Sequence, residues 1–298
     1  MLDTKLRSLL KVQETGSFTK AAQELSLTQP AVSQHIATLE KELGIVIFER
    51  HNNIISITRE GELVIRYAKR MLSLYNNLIN ELSSKKRQIT SITVGITHTA
   101  ESNAIAGALA SYASSKENLS IKILTNTVAS LYEMLQNYEV DFAIVEGRIN
   151  APNLRYLPLD TDSLVLAISP NHRLADSTMV TIDDLKNEKM ILRLPTSNTR
   201  NLFVSSLETK AMSIDNFNVV LEIDNIATIK DLVRNDFGVS VLAKSACLEE
   251  IRKKKLVCLP IQDFEMLREI NLVYLKDFRH ESILNEIVKE YHQTSSKS

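Results

Sequence analysis

The sequence predicts an α+β protein built from several folding units. Its 298 residues exceed one typical domain, and 44% hydrophobic and 24% charged residues are usual for a globular chain. The first 43 residues carry three short helical patterns, whereas short β-rich runs alternate with helical patterns from residue 89 onward. One long helical pattern lies between them. These observations predict a small helical domain, a linker helix and a larger α/β domain.

Charge is divided unevenly between the two ends of the chain. Residues 1–88 contain 13 Lys and Arg against 9 Asp and Glu, a balance of +4, whereas residues 89–298 contain 22 against 27, a balance of -5. Because residues 1–88 are basic and residues 89–298 are acidic, a polyanion is expected to bind only the N-terminal part, the front of the chain, and not the C-terminal part, its rear.

The amino terminus and the two cysteines indicate a cytoplasmic protein. The first 12 residues are amphipathic and lack the apolar core of a signal peptide, and no apolar run approaches the roughly 20 residues that span a bilayer. Cys247 and Cys258 form neither a CxxC pair nor a metal-ligand spacing. We therefore expect no membrane partner and two buried thiols, with a redox-sensing pair as the alternative.

Three helices are expected at the front. The first runs from about residue 3 to 14, and Ser17 can cap the second, residues 18–25. After a very short connection Thr28 can cap the third helix, and Pro30 falls in its first turn, where a missing N–H is tolerated.

The third helix has one apolar face and one face of uncharged polar residues. Its apolar positions recur at helical spacing: Val32, Ile36, Leu39 and Leu43. Gln34 and Thr38 point away from this stripe, while Gln29 and Ser33 flank the exposed surface. Amides and hydroxyls both donate and accept hydrogen bonds, so they can read base edges in a major groove; a plain solvated helix is the alternative.

The surroundings of this helix favour DNA binding. Two short helices at a tight turn, followed by a polar-faced helix, are typical of a helix-turn-helix. Gly44 ends the helix, and residues 45–50 and 54–58 are predicted strands of a hairpin that would form a wing beside the DNA. The sequence thus predicts a winged helix-turn-helix over residues 1–58.

A linker helix is predicted over residues 59–88, capped by Thr58. Its apolar residues alternate in steps of four and three and so form a heptad seam: Val64, Ala68, Met71, Tyr75, Leu78 and Leu82. Such a seam favours pairing with a second copy, and packing on its own domain is the alternative. The polar run 83–88 marks the domain boundary.

From residue 89 the alternation predicts a doubly wound α/β architecture. The predicted strands are 92–96, 121–124, 142–145, 164–168, 219–223, 239–242 and 270–274. The predicted helices are near 102–115, 128–138, 198–211, 225–235 and 281–292. Small ligands of such sheets lie beyond the carboxyl ends of the strands, where helix N-termini offer N–H groups.

Polar side chains gather at those strand ends and helix starts. The residues expected to bind an effector are Thr97, His98, Thr99, Thr127, Thr196, Ser197, Thr199 and Arg200. Each hydroxyl alone is explained by helix capping, but three such groups at equivalent places indicate a shared site. Hydroxyls beside helix N-termini fit a small carboxylate or similar anion, to which Arg200 adds charge unless it faces solvent.

The front of the chain resembles a known family. The pattern GSFTxAAxxLxxTQPAVSxxIxxLExxLGxxxFxR over residues 16–50, followed by Thr58 and Gly61, strongly resembles the LysR-type transcriptional regulators. In the rear, residues 141–145, 225–233 and 237–242 resemble strands and a helix of the same family.

The sequence departs from the family pattern at three positions. Asn53 stands where many members have Arg or Lys, which implies a weaker grip of the wing on the minor groove. Asp236 and Ala243 stand where Gly and Pro are frequent, close to the expected cleft, so the identity of an effector cannot be transferred.

The resemblance implies a sequence-specific regulator with a periplasmic-binding-protein-like effector domain over residues 89–298. Lobe I would comprise residues 89–162 and 266–298, and lobe II residues 163–265, with the effector between them and crossings near Thr161 and Glu265. A homodimer or homotetramer would bind an operator of inverted-repeat half-sites in double-stranded DNA, and RNA polymerase is a further candidate partner.

The residues expected to contact DNA fall into two groups. Base contacts are expected from Gln29, Pro30, Ser33 and Gln34, and phosphate contacts from Ser17, Thr28, Thr38 and Arg50. His35 lies beside the apolar stripe and is expected to be packed.

The rival hypothesis is a solute-binding or enzymatic α/β protein with an incidental helical front. The sequence has no Gly-x-Ser-x-Gly, Walker, His-Glu-x-x-His or dinucleotide motif, and its seven glycines leave little room for a phosphate-cradling loop. We therefore expect no catalysis, cofactor or metal.

Overall fold

A computed structural model of the protein describes residues 2–51, 54–87, 90–101, 104–148, 151–278 and 281–295. The chain forms two compact units whose boundary lies near residue 88. In the ranges described, no helix is long and apolar enough to cross a membrane.

The first unit contains four helices and one hairpin among its described residues. In chain order these are α1 (Leu2–Thr15), α2 (Phe18–Glu24), α3 (Gln29–Leu43), β1 (Phe48–His51), β2 (Ile54–Ile57) and α4 (Arg59–Arg87). β1 and β2 pair antiparallel and form the predicted wing. Asn52 and Asn53, at its tip, lie outside the described residues.

Side-chain caps define the predicted helix starts. The Ser17 hydroxyl accepts the Lys20 N–H at the start of α2, and the Thr28 hydroxyl accepts the Ala31 N–H at the start of α3. Gly44 ends α3 with φ +68°, a left-handed conformation that favours glycine.

The core of this unit is formed by α1, α3 and the start of α4. Val32, Ile36 and Leu39 are buried as predicted. Leu43, the fourth member of the predicted stripe, is 52% exposed, because it is the last residue of α3 and the chain turns away at Gly44.

The start of α4 is tied to the segment before the wing. The Thr58 hydroxyl donates to the Val46 carbonyl at 2.6 Å and accepts the Gly61 N–H at 2.9 Å. A side chain at Gly61 would lie 2.4 Å from the Ile47 carbonyl oxygen, so only glycine allows this approach. The polar run predicted as a boundary continues α4 to Arg87, and Gln88 lies outside the described residues.

The second unit alternates strands and helices. Its first part contains β3 (Thr90–Ile96), α5 (His98–Glu101), α6 (Ala104–Ser115), β4 (Leu119–Thr125), α7 (Val128–Gln136), β5 (Phe142–Glu146) and β6 (Leu154–Ile168). It continues with α8 (Ile182–Lys186), β7 (Lys189–Leu192), α9 (Asn198–Glu208), β8 (Asn218–Glu222), α10 (Ile226–Arg234) and β9 (Ser240–Ala243). It ends with α11 (Leu248–Arg252), β10 (Val257–Leu259), β11 (Leu267–Leu275) and α12 (Glu281–Ser295).

One long strand is shared by two parts of this unit. β6 pairs with β11 through Ser163 and then with β9 and β10 from Leu164 onward. On the β11 side, β5, β3 and β4 follow in order, with β3 parallel to both neighbours. β7 and β8 form a separate parallel pair beside β9.

Two hydrophobic cores lie on either side of this strand switch. One surrounds Phe142, Leu272 and Ile287, and the other surrounds Leu166, Phe203 and Val241. We call these halves lobe I and lobe II. The chain enters lobe II within β6 and returns just before β11, close to the predicted crossings.

The predicted fold class is confirmed, and all seven strands predicted in the rear are present. β6 begins ten residues earlier than predicted, because its first half carries Pro158 and Asp160 at exposed positions and these residue types are uncommon in strands. β7 and α8 were not predicted, since each has only four or five residues.

Candidate functional site: a DNA-reading helix and an interlobe cavity

The outward face of α3 carries the four residues that are predicted to contact bases. Gln34 and Pro30 are exposed, and Gln29 and Ser33 are half-buried. The Gln29 amide donates to the Ser33 hydroxyl at 2.8 Å. This bond holds two candidate base contacts in one arrangement before DNA arrives.

The second turn of the same face is ordered in a similar way. The Thr38 hydroxyl donates to the Gln34 carbonyl at 2.6 Å, and the Gln34 amide lies 3.4 Å from the Thr38 hydroxyl. Both hydroxyls predicted to contact phosphate at helix starts, Ser17 and Thr28, cap α2 and α3. Arg50 belongs to β1, and its side chain lies outside the described part of the structure.

His35 is packed, as expected. Its Nδ1 lies 2.8 Å from the hydroxyl of Ser8, a completely buried residue of α1. The side chain therefore connects α3 to α1 within the unit.

The linker helix exposes a long apolar stripe. Four members of the predicted seam are about half exposed: Met71, Tyr75, Leu78 and Leu82. Ala68 is instead fully buried, and Val64 is half-buried against the core of the first unit. These two residues therefore pack on their own domain, which was the alternative to pairing with a second copy. Along the predicted seam the first exposed residue is Met71, seven residues and about two helical turns after Val64, and the exposed stripe also includes Tyr67, Leu74 and Ile79.

In the second unit, a cavity between the two lobes brings six of the predicted effector residues together. It occupies about 320 Å³, including space open to solvent. The six are Thr97, His98, Thr99, Thr127, Thr196 and Ser197. Thr97, His98 and Thr99 lie at the start of α5, Thr127 precedes α7, and Thr196 and Ser197 precede α9, so residues far apart in sequence line one cavity.

Two predicted residues lie behind the cavity lining. Thr199 is buried and its hydroxyl accepts a hydrogen bond from Arg268 at 3.2 Å. Arg200 donates to the Arg193 carbonyl and pairs with Glu222. Both residues support the site from within the protein and do not line it.

Charged residues that sequence reasoning missed complete the lining. They are Glu146, Arg193 and Asp224, accompanied by Asn126, Val128 and Asn198. Glu146 and Arg193 each follow a run of buried apolar strand residues. The rule that ligands bind at the carboxyl ends of strands, applied to charges as well as hydroxyls, would have found them.

Arg193 carries unused hydrogen-bonding capacity. Its side chain is 3% exposed and its Nη2 donates to Asp224 at 3.0 Å. Its Nε and Nη1 are buried and have no hydrogen-bond partner among the described residues. Because buried guanidinium donors are normally satisfied, these two groups indicate a place for an acceptor that comes from outside the chain.

The start of α9 adds backbone donors beside Arg193. Ser197 occupies the cap position and lines the cavity, yet its hydroxyl makes no capping bond to the described helix. The first N–H groups of a helix lack intrahelical partners and favour negative charge. Arg193 and α9 thus form the cationic side of the cavity, in lobe II.

Glu146 forms the opposite side, in lobe I. It is buried at the end of β5, and its Oε1 accepts the Thr97 hydroxyl at 2.8 Å. Thr97 also accepts the Ala100 N–H, so it orients Glu146 and caps α5 at once.

A buried ion pair joins the two sides behind the cavity. Arg268 donates from Nη2 to Asp162 at 3.0 Å and from Nη1 to Thr199, and its Nη2 lies 3.8 Å from Glu146. Asp162 also accepts the N–H and the hydroxyl of Ser245. The network connects β6, β11 and α9 at the point where β6 changes partners.

The cysteines lie away from this cavity lining. Cys247 is buried and Cys258 partly buried, and their side chains are hydrogen-bonded. The hydrogen bond to Cys258 and burial raise the pKa of the Cys247 thiol. A raised pKa reduces the reactive thiolate at neutral pH, which favours two buried thiols over a redox-sensing pair.

Family comparison places both units in one protein family. The family model of the bacterial regulatory helix-turn-helix protein, lysR family, matches residues 4–62, and that of the LysR substrate binding domain matches residues 86–294. The chain belongs to the LysR family of transcriptional regulators. This confirms the resemblance found in the sequence and the expectation of a regulator in place of an enzyme.

This LysR-family chain is similar to curated regulators and to solved structures of regulators. A probable RuBisCO transcriptional regulator of Phaeodactylum tricornutum is 28% identical over 273 residues, covering 90% of this chain and 89% of the relative. Full-length CbnR complexed with its target DNA has a TM-score of 0.70 at 17% identity, covering 99% of this chain and 100% of that one. The CcmR regulatory domain of Synechocystis PCC6803 in complex with 2-PG has a TM-score of 0.60 at 21% identity, covering 67% and 96%.

Proposed function

We propose that this LysR-family regulator is a cytoplasmic homo-oligomer whose operator binding responds to a small effector with an anionic group, bound between lobes I and II. The observation that carries this proposal is Arg193, which lines the interlobe cavity and whose buried Nε and Nη1 have no hydrogen-bond partner among the described residues. A buried charge without a full set of partners is unfavourable, so an anionic ligand gains affinity by satisfying it.

The geometry around Arg193 supports an anion. A guanidinium offers donors in a rigid fork that matches a carboxylate or phosphate, and the start of α9 adds backbone N–H groups on the same side. Hydroxyls at Ser197 and Thr127 supply neutral donors near the charge. The structural relative CcmR, whose regulatory domain binds 2-PG, supports a small-molecule ligand for this kind of domain.

The effector can act through the arrangement of the two lobes. Arg193, Ser197 and Asp224 belong to lobe II, whereas Thr97, Thr127 and Glu146 belong to lobe I. A ligand that contacts both lobes binds one of their arrangements better than others, and this differential affinity shifts the population.

DNA recognition is assigned to α3 and the wing. Gln29, Pro30, Ser33 and Gln34 contact base edges, while Ser17, Thr28, Thr38 and Arg50 contact phosphates. The exposure of Gln34 and the ordered Gln29–Ser33 pair support this assignment. The relative CbnR, solved with its target DNA, supports double-stranded DNA as the partner, and inverted half-sites fit a paired regulator.

Oligomerisation is assigned to the exposed part of α4. Single apolar residues at a surface need no partner, but a continuous stripe from Tyr67 to Leu82 on one helix favours burial against a second copy. RNA polymerase remains a further proposed partner of the operator-bound oligomer.

Replacing Gln34 by Ala is expected to weaken binding to an operator, selected from random duplexes by the wild-type protein, by about 1–3 kcal/mol. Binding to a scrambled duplex should be unchanged, because a base contact contributes only to specific binding. Gln13→Ala on α1 is the matched control and should alter neither. Equal losses on both duplexes would contradict a base-reading role for Gln34.

Replacing both Met71 and Leu78 by Glu is expected to dissociate the oligomer in sedimentation velocity, because the charges would lie within an apolar helix pair. The control is Asn80→Glu, which adds charge to an exposed polar position of the same helix. An unchanged sedimentation coefficient in the double variant would refute the assignment of the interface to α4.

Replacing Arg193 by Gln is expected to weaken effector binding by about 2–5 kcal/mol, because one partner of a buried charge pair is lost. Operator binding by the unliganded protein should persist. The effector is first identified by thermal shift with organic acids, phosphorylated acids and amino acids, and then titrated calorimetrically. Arg252→Gln, at an exposed position of lobe II, is the control. Wild-type affinity in Arg193→Gln would place the ligand elsewhere.

A further inference from the structure

The charge distribution of the cavity points to more than an anion. We infer that the effector is a zwitterion, a small α-amino acid whose carboxylate binds Arg193 and whose ammonium group binds Glu146. The inference rests on the proposed function, because it assigns the ligand of the same interlobe cavity.

The lining does not suit a ligand that carries negative charge alone. Its charged residues are Glu146, Arg193 and Asp224, and Arg268 and Asp162 lie directly behind them, so three carboxylates face two guanidinium groups. A purely anionic ligand small enough for this cavity would satisfy Arg193 but would bring like charge towards Glu146. A ligand that also carries a cationic group removes that repulsion and replaces it with attraction.

The Glu146 carboxylate can still accept a hydrogen bond from a ligand. Among the described residues, the Thr97 hydroxyl and the distant Arg268 guanidinium both approach Oε1. A carboxylate offers about four acceptor positions. Oε2 is therefore available on the cavity side, and an ammonium group with three donors suits such an acceptor.

Arg268 is shared between two buried carboxylates. Its Nη2 lies 3.0 Å from Asp162 and 3.8 Å from Glu146, so Asp162 is its hydrogen-bonding partner and Glu146 is neutralised only in part. The guanidinium lies behind the carboxylate, outside the cavity lining. It keeps Glu146 in place while the carboxylate faces the cavity.

The two binding groups lie on opposite lobes, whereas the carboxylate and the ammonium of the ligand share one carbon. Glu146 is the last residue of β5 in lobe I, and Arg193 follows β7 in lobe II. A small amino acid can contact both Glu146 and Arg193 only when the two lobes are a particular distance apart. Both charged contacts therefore stabilise the same arrangement of the lobes and raise its population. Val128 is the apolar residue of this lining and the others are polar, which favours a short side chain on the ligand.

The test is a calorimetric titration of the full-length protein with three matched series of probes. These are the common L-amino acids, the 2-hydroxy acids with the same side chains, and the amines that lack the carboxylate. At least one short amino acid is expected to bind, with its hydroxy acid and its amine each weaker by about 30-fold or more.

Two variants assign the ends of the ligand. Glu146→Gln keeps the acceptor for Thr97 but removes the charge, so the amino acid should bind about 30-fold more weakly while the hydroxy acid binds as well as before or better. Glu133→Gln, at an exposed position of α7, should change nothing.

The outcomes separate this inference from the proposed function. If the hydroxy acid binds wild type as tightly as the amino acid, and Glu146→Gln leaves that ratio unchanged, the zwitterion is refuted and the anion site stands. If the bound amino acid retains wild-type affinity in Arg193→Gln, the cavity itself is the wrong site. If no amino acid binds, the inference is overturned.

Discussion

The effector-binding unit depends on one buried ion pair, between Asp162 and Arg268. Asp162 lies on β6 at the step where the strand exchanges β11 for β9, and Arg268 is its register partner on β11. Both side chains are almost fully buried, so neither tolerates the loss of the other: removing one partner of such a pair is destabilising by about 3–5 kcal/mol. Through Thr199 and Ser245 the same pair positions the start of α9 and the segment after β9.

This network positions the residues that line the cavity. The start of α9 places Ser197 and Asn198 on the lining, and Arg268 Nη2 lies 3.8 Å from Glu146. Recognition groups from lobes I and II are thus held by a shared support that does not itself line the cavity. Because this support defines how the two lobes are arranged, a ligand that contacts both lobes can favour one arrangement and raise its population.

Much of the fold follows from local sequence chemistry. The caps at Ser17 and Thr28, the left-handed Gly44 and the apolar spacing of α3 each act within a few residues, and each is present as predicted. The position of each hydroxyl also follows, since the carboxyl ends of parallel strands share an edge, but bringing Thr97 and Thr127 together with Ser197 also needs the two lobes to face each other.

What could not be predicted depends on contacts between distant residues. An isolated Arg193 or Glu146 after an apolar run resembles a surface charge until the topology places the two in one cavity. Thr199 and Arg200 are residue types that often bind ligands. In this structure, however, Thr199 accepts a hydrogen bond from Arg268 and Arg200 forms an ion pair with Glu222. Ala68 fits the heptad spacing, but the core of its own unit reaches far enough along α4 to bury it.

The central claim is that charges from opposite lobes meet on one small ligand. A crystal structure of the full-length protein with the amino acid that binds most tightly tests it directly. The account predicts the carboxylate within about 3 Å of Arg193 Nε or Nη1 and the ammonium nitrogen within about 3 Å of a Glu146 oxygen. A ligand that contacts only one lobe, or that leaves both Arg193 and Glu146 without a contact, would contradict it.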